Sequence, residues 1–152
     1  MQYLGYNYRI TDIQCALAIS QMDKIDLFLD ARRSMVKVYD KAFKDIPNIT
    51  PLQSCGRDNS SHHIYVVSID FYKVGVTRHQ FMKKLAEQGV GSQVHYIPVV
   101  SQPYYQELGY KIQQYSITDT YYQSTLSIPL YYGLSDVDQR LVISSIRKLL
   151  GK

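Results

Sequence analysis

The stretch HHIYVVSIDF, residues His62 to Phe71, is rich in β-branched and aromatic residues. That composition reads as a β-strand. A period of two puts His63, Tyr65, Val67 and Ile69 on one face. One strand needs partners, and two further runs offer them. The first, Val90 to about Tyr96, breaks at Pro98. The second, LSIPL (Leu126 to Leu130), reads as a short edge strand, because Pro129 cannot donate to a ladder on both sides. The polar, turn-rich ITPLQSCGRDNSS (49–61) and the Pro- and Tyr-containing VVSQPYYQELGY (99–110) read as loops.

Helical patterns flank these runs. Four Ser/Thr-x-x-acid/Gln signatures mark helix starts: Thr11 to Gln14, Thr77 to Gln80, Ser116 to Asp119 and Ser135 to Asp138. The first helix is expected from Asp12 to about Phe43, with a break near Asp23 because so long a pattern exceeds the usual range. The second runs from Arg78 to Gln88, turns Phe81 with Leu85 and Met82 with Ala86 inward, and ends at Gly89. A third spans Ile117 to about Thr125. The last, Asp136 to Leu150, buries Val142, Ile146 and Leu149. A long helix, then strand–helix–strand, then helix, short strand and helix predicts an α+β layer with helices on one face of a small sheet.

Composition narrows the function. The chain has 152 residues, 45% hydrophobic and 20% charged, enough for one domain with a core. No apolar run approaches the ~20 residues of a membrane helix. The N-terminus lacks a basic-then-apolar signal, so a cytoplasmic setting with no membrane partner is expected. The net charge of +4 is scattered, without runs. No nucleic-acid partner is expected, since base stacking needs a basic groove beside it. Fifteen tyrosines and no tryptophan suit surfaces apolar at one end and wet at the other. The four histidines and two cysteines show no metal-ligand spacing, and Cys15 reads as a small buried apolar residue. Nucleophile-elbow, dinucleotide and P-loop motifs are missing.

What remains is GYNYRITDIQ, Gly5 to Gln14. Asn7 offers amide donors and Arg9 a planar fork, just upstream of a helix N-terminus with free N–H groups. A phosphate or carboxylate fits such a cluster. Equally, Asn7 is a turn residue, Arg9 a solvated charge and Thr11 only a cap. His95 and His63 have similar alternatives: the first as a ring satisfied by a backbone carbonyl, the second as a packing residue.

GYNYRITDIQCALAISQMDKID resembles the Gly-x-Asn-Tyr/Phe-Arg segment of the DegT-type nucleotide-sugar aminotransferases. The likeness continues in order through SSHHIYVVSID, GVGSQVHYIPVVSQPYYQELGY and YYQSTLSIPLYYGLSDVDQRLV. VHYIP followed by QPYY most resembles the branch that aminates a UDP-linked 4-keto-6-deoxy amino sugar on the pseudaminic acid route. Cys15 and Ala18 replace small residues of the family, and Val100 stands where many members have His.

The resemblance implies the C-terminal small domain of a fold-type I enzyme using pyridoxal 5'-phosphate. Residues 1–45 would form the Asn7 loop and a long interface helix, and 46–152 the small α+β domain. It implies that Asn7, with Arg9, reaches the cofactor phosphate of a neighbouring subunit in a homodimer. Arg9 is open to two other roles, at the substrate diphosphate or as a brace of the loop. It implies that Ser92, Gln93, Val94, His95 and Tyr96, and more weakly His63, contact a UDP-sugar, with glutamate as the expected amino donor. No lysine here has the context of the family's cofactor-bonding lysine, which transamination needs both as covalent partner and as proton carrier. The chain alone is therefore expected to be inactive, with no catalytic residue of its own. The alternative is a non-catalytic dimerisation or ligand-binding module.

Overall fold

The computed structural model describes residues 8–52 and 59–151; Asn7 and Cys55 lie outside the described residues. Helix α1 (Asp12–Met22) opens on a complete capping box. The Thr11 N–H donates to Gln14 Oε1 at 2.9 Å, and the Gln14 N–H donates to Thr11 Oγ1 at 3.3 Å. The expected break falls at Asp23 and Lys24, and α2 (Ile25–Phe43) follows. The two helices differ in environment. Among α1 residues none is buried, whereas Met35, Val36, Tyr39 and Phe43 of α2 are core.

Strand β1 (Ile49–Pro51) lies inside the segment expected to be a loop. It pairs antiparallel with β2 (Tyr65–Ile69). Pro51 is tolerated because β1 is an outer strand. Ladder bonds from the Leu52 N–H to Val66 O and from the Asp70 N–H to Asn48 O put Pro51 at a non-hydrogen-bonded position opposite Val67. Strand β2 is shorter than its sequence pattern. Tyr65, Val67 and Ile69 are buried as expected, but His63 lies outside the strand and is exposed. The cause stands next to it: His62 adopts φ 47°, which ends the extended run. At the other end Asp70 accepts the Lys73 N–H and starts α3 (Phe71–Val74), one turn closed by Gly75 at φ 77°.

Helix α4 (Arg78–Ala86) buries Phe81 and Leu85 and half-buries Met82; Ala86, expected inward, is exposed. The second sheet run shrinks to β3 (Gln93–Val94). The expected loop after it contains a 3₁₀ turn, Val99–Ser101, and α5 (Pro103–Glu107), with proline at the N1 position that suits it. Helix α6 (Ser116–Ser124) forms without its expected capping box. Ser116 is already helical, Tyr115 is the cap, and Asp119 instead accepts from Gln123 Nε2 at 3.2 Å.

Strand β4 (Thr125–Ile128) corrects a second expectation. The sheet order is β1-β2-β4-β3, so this run is interior and not an edge. Its last paired residue is Ile128, opposite Tyr65, so Pro129 falls just past the ladder. The Pro129 carbonyl is taken by the Tyr39 hydroxyl at 2.8 Å. Helix α7 (Asp136–Leu149) starts at Ser135, which accepts the Asp138 N–H, and buries Val142 and Ile146; Leu149 is half-buried.

The result is a mixed helix and antiparallel-sheet layer. Helices α2, α4 and α7 pack on the Tyr65–Val67–Ile69 face, where Phe43, Phe81, Leu85, Leu126 and Ile146 complete one core. Inside it, Gln139 Nε2 donates to the Met35 carbonyl at 2.8 Å and ties α7 to α2. Helix α6 meets the opposite side of β2, through a Ser68–Ser124 hydroxyl contact of 3.1 Å. That leaves part of the second sheet face open, and the candidate site lies there. Among the described residues no helix is long and apolar enough to cross a membrane.

Candidate functional site

A hollow of about 280 Å³ lies on the open sheet face, lined by Leu52, His62, Ile64, Tyr65, Val66, His95 and Tyr121. Each wall has a local cause. The register aligns Val66 with Ser127, and Ser127 with Gln93, so these three form one row on the side of β2 away from Val67. His95 follows β3 directly. Buried Thr125 fixes it, with Oγ1 3.1 Å from the His95 carbonyl and 2.9 Å from the Tyr121 carbonyl. One hydroxyl thus joins the end of β3 to α6. The His95 ring lies 4.9 Å from the Tyr96 ring and 6.3 Å from the Tyr121 ring.

Of the residues singled out in the sequence, His95 enters this hollow. Gln93 faces the same side of the sheet but is exposed, while Val94 pairs with Leu126 and turns to the core side. Ser92 is half-buried, and Tyr96 is 69% exposed beside His95. His63 does not line the hollow. Its place is taken by His62, which is only 8% exposed. The sequence shows two adjacent histidines; resemblance singled out His63, whereas His62 shares the hollow side with Ile64 and Val66. A non-glycine residue in the left-handed region costs about 1 kcal/mol. Here a hydrogen bond from the His62 N–H to Ser60 Oγ, 3.0 Å, supports that turn.

Arg32 was not singled out in the sequence. From α2 its Nη1 donates to the carbonyls of His62 at 3.1 Å and His63 at 2.9 Å, and reaches Leu130 at 3.4 Å. The only sequence signal was a basic pair, Arg32-Arg33, within an amphipathic helix.

The helix terminus of GYNYRITDIQ is a weaker anion site than its donors suggest. The capping box occupies the N–H groups of Thr11 and Gln14. Asp12 adds a carboxylate to the first turn, which repels an anion. Arg9 is exposed, and the Asp12 and Ile13 N–H groups lie outside the capping box; Asn7 lies outside the described residues. Every described lysine is exposed, and none lines this hollow. Among the described residues no three His, Cys, Asp or Glu side chains come together as metal ligands.

The chain belongs to the DegT/DnrJ/EryC1/StrS aminotransferase family, whose profile matches residues 1–147. It is 37% identical over 151 residues to the spore coat polysaccharide biosynthesis protein SpsC of Bacillus subtilis, covering 96% of this chain and 38% of that one. It is 32% identical to a UDP-4-amino-4,6-dideoxy-N-acetyl-beta-L-altrosamine transaminase of Campylobacter jejuni, covering 100% of this chain and 40% of the relative. Among solved structures, Helicobacter pylori PseC, an aminotransferase of pseudaminic acid biosynthesis, superposes with a TM-score of 0.84 at 26% identity, over 99% of this chain and 40% of that one. Spr1654 of Streptococcus pneumoniae, described as a sugar aminotransferase and solved in PLP and PMP forms, gives 0.84 and 0.85 at 26% identity, over 94% of this chain and 36% of Spr1654. The chain thus spans about two fifths of the length of these relatives.

Proposed function

We propose that this chain is the C-terminal portion of a pyridoxal 5'-phosphate-dependent aminotransferase that moves an amino group onto a UDP-linked 4-keto-6-deoxy sugar for surface glycan synthesis. The observation that carries this reading is the match to sugar transaminases along nearly the whole chain, with His95 lining a hollow of suitable side-chain chemistry. The residues present fit one end of the cofactor only. Exposed Arg9, with Asn7 before it, is suited to the phosphate of a neighbouring subunit, while every described lysine is exposed and none lines this hollow. When bound, pyridoxal phosphate supplies the electron sink for amino transfer.

This chain's own part is positional. The His95 imidazole and the Tyr96 and Tyr121 hydroxyls can hold sugar hydroxyl or phosphate oxygens, with Thr125 fixing the His95 backbone. Gln93 offers an amide on the same side of the sheet. The uncovered apolar side chains of α1 supply a face for a larger lobe or a second subunit. That face equally suits the second reading, a dimerisation module acting without a large domain.

The test joins this chain to the preceding lobe of such an enzyme and assays amino transfer from glutamate to a UDP-4-keto-6-deoxy sugar. Activity of the complete protein, absent from this chain alone, is expected. Pyridoxal phosphate and borohydride added to the isolated chain should give no stoichiometric adduct at a single lysine by mass spectrometry. Such an adduct would overturn the reading that the reactive lysine is elsewhere.

A further inference from the structure

One wall of the hollow lies before the start of β2, outside the ladder. His62 holds a left-handed backbone, φ 47°, yet its imidazole is buried in the lining beside His95 and Tyr121. Left-handed non-glycine residues persist where their surroundings over-determine them, and they gather at ligand sites. Here the surroundings are visible. The Ser60 hydroxyl accepts the His62 N–H, and the Arg32 guanidinium donates to the carbonyls of His62 and His63. The same Nη1 lies 3.4 Å from the Leu130 carbonyl, just past β4. One planar group in α2 therefore sets the turn before β2 relative to the segment leaving β4. All three contacts issue from this one nitrogen, whose two N–H groups serve chiefly the nearer His62 and His63 carbonyls.

We propose that His62 is a ligand-contacting residue of the hollow and that Arg32 is its positioning residue, the ligand being the sugar–diphosphate part of a nucleotide sugar. The choice of ligand rests on the functional reading above. The chemistry is that of the wall itself. Two imidazoles and a tyrosine can bond hydroxyl and phosphate oxygens, and the apolar floor of Leu52, Ile64 and Val66 accepts a sugar ring face.

The experiment follows the imidazole proton resonances of the intact 152-residue chain during titration with UDP-N-acetylglucosamine. Saturable shifts at His62 and His95, with His63 and His79 unmoved, are expected. Arg32→Gln should weaken the apparent Kd roughly tenfold and remove the His62 shift while sparing that at His95, as expected when a wall residue loses its support. Arg32→Lys, which keeps a cationic donor on the same position, should recover part of this. Should Arg32→Gln unfold, His62→Asn decides the matter. Asparagine tolerates the left-handed backbone and leaves Arg32 its carbonyls. Weaker binding at an unchanged unfolding midpoint supports the proposal, and unchanged binding overturns it. No shift at His62 in the wild-type chain also overturns it. A complete enzyme that transaminates with full activity as His62→Asn overturns this inference alone, while a complete enzyme without transaminase activity overturns the functional reading.

Discussion

Gln139 is the side chain whose loss is simplest to price. It is buried, and its amide reaches the Met35 carbonyl across the α2–α7 contact. Gln139→Leu keeps the volume and removes the bond, so it should cost about 1 kcal/mol in urea unfolding. Ser144→Ala, on the exposed side of the same helix, should stay within about 0.5 kcal/mol. Asp70 gives a pH signature. The Lys73 N–H bonded to its carboxylate, with the Lys73 ammonium 3.2 Å away, holds its pKa below the usual aspartate value. A depressed carboxylate stabilises the fold above the unfolded value of about 3.9, and that contribution disappears as pH falls through the lower folded value. Amide resonances of Phe71 to Gly75 should therefore shift on acidification in the wild type, and Asp70→Asn should abolish that titration. Tyr39 moves the other way: burial first, then the nearby Tyr131, raises its hydroxyl above the ordinary tyrosine range, so it stays a donor to Pro129.

Among the elements, β4 and β1 make a controlled pair. Ser127 is paired on both sides, with Val66 of β2 and Gln93 of β3, so Ser127→Pro must remove a ladder bond wherever its N–H points. Loss of cooperative unfolding is expected, read by circular dichroism. Pro51 already stands in β1 without harm, because its missing N–H faces outward. Helix α1 is the opposite case, an apolar helix that packs on nothing described. Ile13 is 83% exposed and Leu17 64%. Ile13→Glu with Leu17→Glu should shift the unfolding midpoint little, since surface changes usually fall within about 0.5 kcal/mol. It should improve solubility at the same time.

For the whole molecule, the same exposed side chains predict association. Ile13, Leu17, Ile19 and Met22 on α1, and Tyr96, Ile97, Val99 and Tyr104 around the loop after β3, form uncovered apolar surface. Monomeric proteins seldom carry such patches. Sedimentation should show dimers or larger species at micromolar concentration, reduced by the α1 double substitution. A clean monomer of the unaltered chain would contradict this.

Local chemistry was enough to place the elements made by short-range signals. Capping boxes at Thr11 and Thr77, the Ser135 cap, the break near Asp23, and the alternation of Tyr65, Val67 and Ile69 all depend on residues within one or two turns of each other. The order of elements and the α+β class follow from them. Family resemblance singled out residues 92–96, of which His95 lines the hollow. Three things needed the folded chain. Strand β4 is central and not an edge because β3 pairs on its far side, a contact between residues more than thirty apart in sequence. His62 forms a wall with Ile64 and Val66 because the face opposite the core is left partly open there, which depends on where α6 packs. Arg32 acquires its role from carbonyls about thirty and nearly a hundred residues away. Side-chain type and local spacing act over a few ångströms of contiguous chain, whereas pairing partners and hydrogen-bond acceptors are set by packing that no local pattern encodes.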